Sequence, residues 1–278
     1  MPIFLTKIPE KMKTKLFIFG LASVLSLNSC RKTPKETVKE EKTVVKEHVK
    51  EEKHHNKHWS YEGETAPEHW SSISDKNLDC AGNAQSPINI QDAKKAAKEN
   101  KLAINYKSSD LRIVNNGHTE KFAISDGNTL SFNGKEYTLK QFHMHTLSEH
   151  TVNGEHFPLE IHFVNKAADG TYAVIGVLYK EGKKSAFLDK YLANFPTEKG
   201  KEYKEEGKLD ILSVLPKTDH YYHYKGSFTT PPCTEVVEWV VLKENPTASK
   251  EQLEKLHQLM GDNYRPTQAL NNRVIEIQ

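Results

Sequence analysis

The chain has no glycine-rich phosphate loop, no serine nucleophile elbow and no internal repeat. The nucleotide-cradling, hydrolase-elbow and solenoid readings therefore have no support. It also lacks an excess of either charge. Lys and Arg number 39 and Asp and Glu 37, a formal net charge of +2. That balance gives no case for nucleic-acid binding. Long apolar runs are missing too. The one candidate, Leu16 to Leu27, is too short for a comfortable membrane span. It follows Lys11, Lys13 and Lys15, and a basic start before a short apolar stretch reads as an export signal.

With 278 residues there is room for one large domain plus extensions. Leu27-Asn28-Ser29-Cys30 is similar to a bacterial lipobox, which makes Cys30 the expected lipidated residue at the end of a signal spanning 1–30. The expected location is the periplasm or cell envelope, with membrane contact only through that lipid. A simple secretory signal or an uncleaved anchor are the alternatives, and Met12 is an alternative start. Residues 31–57 are rich in Lys and Glu and poor in apolar side chains, so they read as a solvated tether. His48, His54, His55 and His58 lie in or beside it; incidental histidines in a polar tail are preferred there over a metal-scavenging or proton-collecting role. The folded domain is expected over 58–278.

Within it, short extended runs alternate with turn signals. Leu102–Tyr106, Leu111–Asn115, Lys121–Ile124, Thr129–Phe132, Tyr172–Tyr179 and Val236–Leu242 read as strands. Asp126-Gly127, Asn133-Gly134 and Asp169-Gly170 punctuate them. Helical periodicity is clear only in Ser249–Met260, where Leu253, Leu256, Leu259 and Met260 form one stripe, and is weaker in Lys184–Ala193.

The chemistry concentrates in Gln141-Phe142-His143-Met144-His145, Glu149-His150-Thr151 and Glu160-Ile161-His162. On a strand, residues two apart share a face, so His143 and His145 point together with Gln141 beside them. Thr138–His145 and Pro158–Val164 read as two strands, with the Asn153-Gly154 turn between them. Antiparallel pairing would set His162 opposite the first pair. Three neutral imidazoles with one open position are the ligand set of a catalytic zinc site. Glu160 and Gln141 are placed to take the outer N–H of a bound ring. A His-x-His pair alone is weak evidence; the third histidine, with its own Glu two residues earlier, strengthens it.

From about Trp59 to the C-terminus the chain resembles the α-class carbonic anhydrases in their exported bacterial form. The segments that carry the likeness are Tyr61-Glu62-Gly63, Pro67-Glu68-His69-Trp70, Gln85-Ser86-Pro87-Ile88-Asn89-Ile90, Asn115-Asn116-Gly117-His118, the histidine run, Gly226 to Glu235 and Asn263-Tyr264-Arg265-Pro266. The resemblance implies a mainly β (α+β) fold: a large, mostly antiparallel or mixed central sheet with peripheral helices and a conical cavity. It implies reversible hydration of carbon dioxide to bicarbonate and a proton by zinc-bound hydroxide. Zinc would be held by His143, His145 and His162. Thr229 would be the gatekeeper donating to Glu149, and His118 the proton shuttle. Outer partners would be Gln141, Glu160 and the backbone carbonyl of Asn263. Val164, Val174, Phe228, Thr230, Val237 and Trp239 would form the substrate pocket. A Cys80–Cys233 disulfide is implied as well, worth on the order of 3–5 kcal/mol for so long a loop. Sulfonamides and anions would inhibit, and a homodimer is expected by analogy.

Three positions depart from the family pattern. Phe228 stands where fast members carry Leu, Leu147 replaces a proline, and Glu120-Lys121 put charge where uncharged side chains are usual. Two other readings compete: a non-catalytic surface binding module of the same fold, and a periplasmic zinc-binding protein using the His-rich tract. The first sits poorly with a chain that keeps all three histidines, Thr229 and Glu149. The second predicts several weak zinc equivalents and no hydration.

Overall fold

The computed structural model describes residues 57–278; the signal, Cys30 and the tether up to residue 56 lie outside the described residues. A 13-stranded sheet organises the described chain. Its main strands are β1 (Ser108–Asn115), β2 (Glu120–Ile124), β3 (Lys135–His145), β4 (Leu159–Lys166), β5 (Tyr172–Glu181), β6 (Glu202–Asp210), β7 (Tyr221–Gly226) and β8 (Val237–Leu242). In space they lie in the order β6-β1-β2-β3-β4-β5-β8-β7. Neighbours are antiparallel except β5 and β8, which run parallel. The sheet is thus the mixed, mostly antiparallel one expected, with helices at its margins.

Two apolar clusters sandwich the centre of the sheet. The larger includes Phe122, Phe142, Phe163, Ile175 and Val240, with Leu253 and Leu256 covering it from a helix. The smaller, on the opposite face, includes Val164, Val174, Tyr224, Val237 and Trp239. Alternation along each strand assigns the faces: on β4, Ile161 and Phe163 enter the first cluster and Val164 the second. Phe122, Phe142 and Phe163 sit opposite one another on β2, β3 and β4. Their rings stack at 4.3 and 4.9 Å, a cross-strand ladder worth roughly 0.5–1.5 kcal/mol per pair beyond burial.

A β-bulge in β3 decides where the histidines point. Gln141 pairs with Val164, but Leu139 pairs with the next residue, Asn165, so Lys140 is an extra residue on β3. Before it, Tyr137 and Leu139 face the larger cluster; after it, Phe142 and Met144 do. Gln141, His143 and His145 are thereby turned to the other face.

The helix α1 (Ala186–Tyr191) begins at Ser185, whose hydroxyl accepts from the Leu188 N–H. The helix α2 (Lys250–Met260) has a capping box between Ser249 and Gln252. Both fall inside the sequence expectation. Strands β6 and β7 were not expected. β6 is a sheet-edge strand that is charged except at Tyr203, Gly207 and Leu209, and a register break between Lys204 and Lys208 interrupts its alternation.

Glu120, at the start of β2, lies on the face opposite its neighbour Lys121. It is 1 % exposed, and its Oε2 has no hydrogen-bond partner. Burial pushes its carboxyl up to about 7. Below the ordinary carboxylate range both folded and unfolded chains hold this proton. Between about 4.5 and 7 only the unfolded chain releases it, so stability falls as pH rises through that window. Glu120→Gln is expected to raise Tm, with a gain larger at pH 8 than at pH 5 in thermal melts.

Candidate metal centre

β3 and β4 bring the three histidines together. His162 lies directly opposite His143, and Glu160 opposite His145. One ring nitrogen from each histidine lies within 4.8 Å of the others. His145 and His162 are buried and His143 nearly so. Burial is the main force holding all three imidazoles below their ordinary pKa, His145 at about 4, so each is neutral and keeps a free lone pair.

The other nitrogen of every ring is already used. His143 Nδ1 is 2.9 Å from Gln141 Oε1, His145 Nδ1 2.7 Å from the Asn263 carbonyl, and His162 Nε2 2.8 Å from Glu160 Oε1. Each outer N–H thus has an acceptor, which fixes the tautomer and aims the remaining nitrogen inward. Glu160 does more than orient His162. Its Oε1 also accepts from His150 Nδ1 at 2.8 Å, and its Oε2 accepts the Glu149 and His150 amides at 2.8 and 2.9 Å. Burial alone would raise this carboxyl; His150 and His162 hold it well below the usual range.

Glu149 completes the centre. Its Oε1 accepts from the Arg265 amide at 2.8 Å. Its Oε2 is 3.5 Å from His145 Nε2 and 3.8 Å from His162 Nδ1. Burial pushes this carboxyl up to about 7, against the opposing pull of the His162 ring, the Thr229 hydroxyl and the Arg265 amide. Glu149 Oε2 and His145 Nε2 are both buried without a hydrogen-bond partner. Buried polar atoms are rarely left unmatched. An unmatched carboxylate oxygen beside three converging lone pairs, the unmatched His145 Nε2 among them, fits a tetrahedral divalent cation with nitrogen ligands.

The space in front of the histidines has two lobes. One, of 280 Å³, is walled by Val164, Val174, Phe228, Trp239 and Thr230. Val237 is buried behind that wall and does not line it. The other, of 140 Å³, is lined by Trp59, Tyr61, Asn116, His118 and Lys121. Gln141, His143 and Thr230 border both. A wider cleft of 990 Å³ opens beside β6 between Arg112, Lys204 and Glu205, but among the described residues no imidazole or thiol lines it.

Comparison with known proteins settles the family. The eukaryotic-type carbonic anhydrase family matches residues 65–278. A carbonic anhydrase from Pectobacterium atrosepticum is 40 % identical over 217 residues, 77 % of this chain and 88 % of that protein. A hyperthermostable carbonic anhydrase identified from a hydrothermal vent chimney is 46 % identical, with a TM-score of 0.77, covering 80 % of this chain and all of that one. The α-carbonic anhydrase of Thermovibrio ammonificans, solved with the inhibitor sulfanilamide, is 44 % identical with a TM-score of 0.76, covering 79 % and 98 %.

The chain belongs to the α-carbonic anhydrase family.

Its activity is that of a carbonic anhydrase. The Cys80–Cys233 bridge is present and ties the helical turns of Asp75–Ala81 to the loop after Thr229. Arg265 backs the same region: its guanidinium donates to the Cys80 and Ser86 carbonyls and to Gln85 Oε1, each at 2.8 to 2.9 Å. Of the charged pair that departs from the family pattern, only Lys121 reaches the cavity, where it lowers the His143 pKa; Glu120 faces the core. Leu147 follows a cis peptide bond and is partly exposed.

Sequence reasoning quoted His150 without giving it a role, and it gave none to Tyr224, Ser86 or the Asn263 amide. His150 Nε2 lies 2.7 Å from the Tyr224 hydroxyl, which donates to Ser86 Oγ at 2.9 Å. The Asn263 side chain accepts from the Thr146 amide and donates to the carbonyls of Met144 and His118. His150, Ser86 and Asn263 were marked only by lying inside the family segments, and Tyr224 lies outside them.

Phe228 meets Tyr172 edge-on at 4.7 Å and occupies the apolar lobe. Phe228→Leu is expected to raise kcat/KM for hydration severalfold in stopped-flow assays, because a smaller side chain widens that lobe. Glu160→Gln is expected to weaken metal affinity about 10- to 100-fold in competition with a chelator, since His162 loses its carboxylate acceptor.

Proposed function

We propose that this enzyme hydrates carbon dioxide to bicarbonate and a proton, reversibly, with zinc held by His143 Nε2, His145 Nε2 and His162 Nδ1. The observation that supports this most directly is the convergence of three neutral imidazoles on a space that also holds the unmatched, buried Glu149 Oε2. Zinc bound there supplies a water whose pKa falls to about 7, and so a hydroxide nucleophile at neutral pH.

The chain's own groups do the rest. A carboxylate is acceptor-only, so Glu149 accepts a hydrogen bond from the Thr229 hydroxyl and leaves the Thr229 oxygen as an acceptor toward the nucleophile. A nearby divalent cation also draws Glu149 to its ionised form. Val164, Val174, Phe228 and Trp239 give carbon dioxide an apolar seat beside the metal ligands. His118, in the polar lobe, carries the surplus proton outward; burial holds its imidazole down at about 4, so it passes the proton on rather than storing it.

Sulfanilamide is bound by the Thermovibrio ammonificans relative. Sulfonamides and small anions are the inhibitors this site would take. The proposed location is the periplasm or envelope, on a lipid anchor at Cys30 joined to the domain by the 31–57 tether, and a homodimer is the proposed assembly; the N-terminal basic and apolar pattern supports export.

Purified enzyme is expected to hold one zinc per chain by elemental analysis. Chelation should abolish stopped-flow hydration and added zinc restore it. A metal-free protein that is inert toward carbon dioxide after zinc addition would overturn the reading. His118→Ala is expected to lower kcat in weak buffer, leave kcat/KM nearly unchanged, and recover in imidazole buffer.

A further inference from the structure

His118 does not face solvent alone. His58 Nε2 lies 3.0 Å from His118 Nε2, with ring centroids 5.1 Å apart. His58 is exposed and His118 half-buried. The contact is held from both sides. Trp59, next to His58, stacks flat on the His118 ring at 3.8 Å and 12° and packs edge-on against the fully buried Trp70. The Trp70 indole N–H in turn donates to the carbonyls of Ser60 and Thr65. On the other side, Asn116 Oδ1 accepts the His118 and Thr119 amides, and the His118 carbonyl accepts from Asn263. His118 is therefore clamped between a base that carries a metal ligand's acceptor and an imidazole open to water.

We propose that His58 is the outer station of the proton path: a proton reaching His118 crosses the N···N hydrogen bond to His58 and leaves to buffer from there. This rests on His118 being the shuttle. Two facing imidazole nitrogens at that distance share one proton between them. A further proton on the pair makes the hydrogen bond charge-assisted, whereas a second is repelled by the first. In the transfer the His118 N–H breaks as the His58 N–H forms; His58 then releases a proton to buffer, and nothing else changes covalently. Burial, His58 and Lys199 together hold His118 down at about 4, so His118 by itself keeps a proton poorly. Lys199 lies against Gly117, Lys121 and Tyr61 share the polar lobe, and Lys57 beside His58 is paired with Glu64 at 3.0 Å. The cations around His118 favour passing the charge outward.

The test uses the zinc-loaded enzyme with His58→Gln, which keeps a hydrogen-bonding side chain that does not titrate in this range, beside His118→Ala and the double variant. Expected in weak buffer is a severalfold lower kcat for His58→Gln, with kcat/KM unchanged and the loss reversed by imidazole. The double variant should be no slower than His118→Ala. Long-range 1H–15N spectra should show His58 and His118 titrating as a coupled pair, with His58 titrating independently once His118 is replaced. An unchanged or raised kcat in His58→Gln, alongside a defective His118→Ala, overturns the outer station and leaves the shuttle standing. A loss that imidazole does not reverse, or independent titration of the two rings in the wild type, also overturns it. If His118→Ala itself keeps full kcat, both readings fall.

Discussion

The metal centre depends on one buried carboxylate. Glu160 is fully enclosed, yet four donors converge on its two oxygens: two imidazole N–H groups and two consecutive backbone amides. A carboxylate removed from water survives only when its lone pairs are matched this fully. The arrangement couples parts that look separate. The same side chain aims His162 and fixes the backbone at Glu149 and His150. It thereby places the Glu149 carboxylate that faces the imidazoles. His150 extends the network through Tyr224 to Ser86, whose hydroxyl also accepts the Ser227 amide two residues before Thr229.

The sheet supplies the rigidity that such a network needs. The Phe122–Phe142–Phe163 ladder fixes the register of three strands on the core face. On the opposite face the same register sets Lys121, His143 and His162 in line. Packing that has nothing to do with catalysis thus decides which side chains meet at the metal centre. The disulfide and Arg265 extend this scaffold to the loop carrying Thr229.

How much of this was legible in the sequence follows from the range of each contact. The pairing of His143 with His162, and the roles open to Gln141 and Glu160, follow from a period of two and a turn at Asn153-Gly154. The apolar strands were found with ends shifted by a few residues, because their faces are separately buried. β6 escaped because it is mostly charged: Leu209 is its one buried residue, Tyr203 is partly buried, and a register break between Lys204 and Lys208 interrupts the alternation. The His150–Tyr224–Ser86 chain and the Asn263 amide escaped for a different reason. They join residues far apart in the chain whose local neighbourhoods say nothing about one another. Glu120 read as a cavity charge because adjacency in sequence was taken for adjacency in space; strand alternation sends it the other way from Lys121.

The bulge at Lys140 carries a consequence for how this domain tolerates change. Its side chain is exposed and joins only a surface ion pair with Asp126 at 3.3 Å, so exchanging it for another residue costs little. Removing the residue is another matter. The frame of β3 would slip by one, carrying three imidazole-face positions into an aromatic interior and its phenylalanine and methionine onto the cavity face. The length of that strand, counted in single residues, is guarded far more strictly than the identity of the amino acid that sets it.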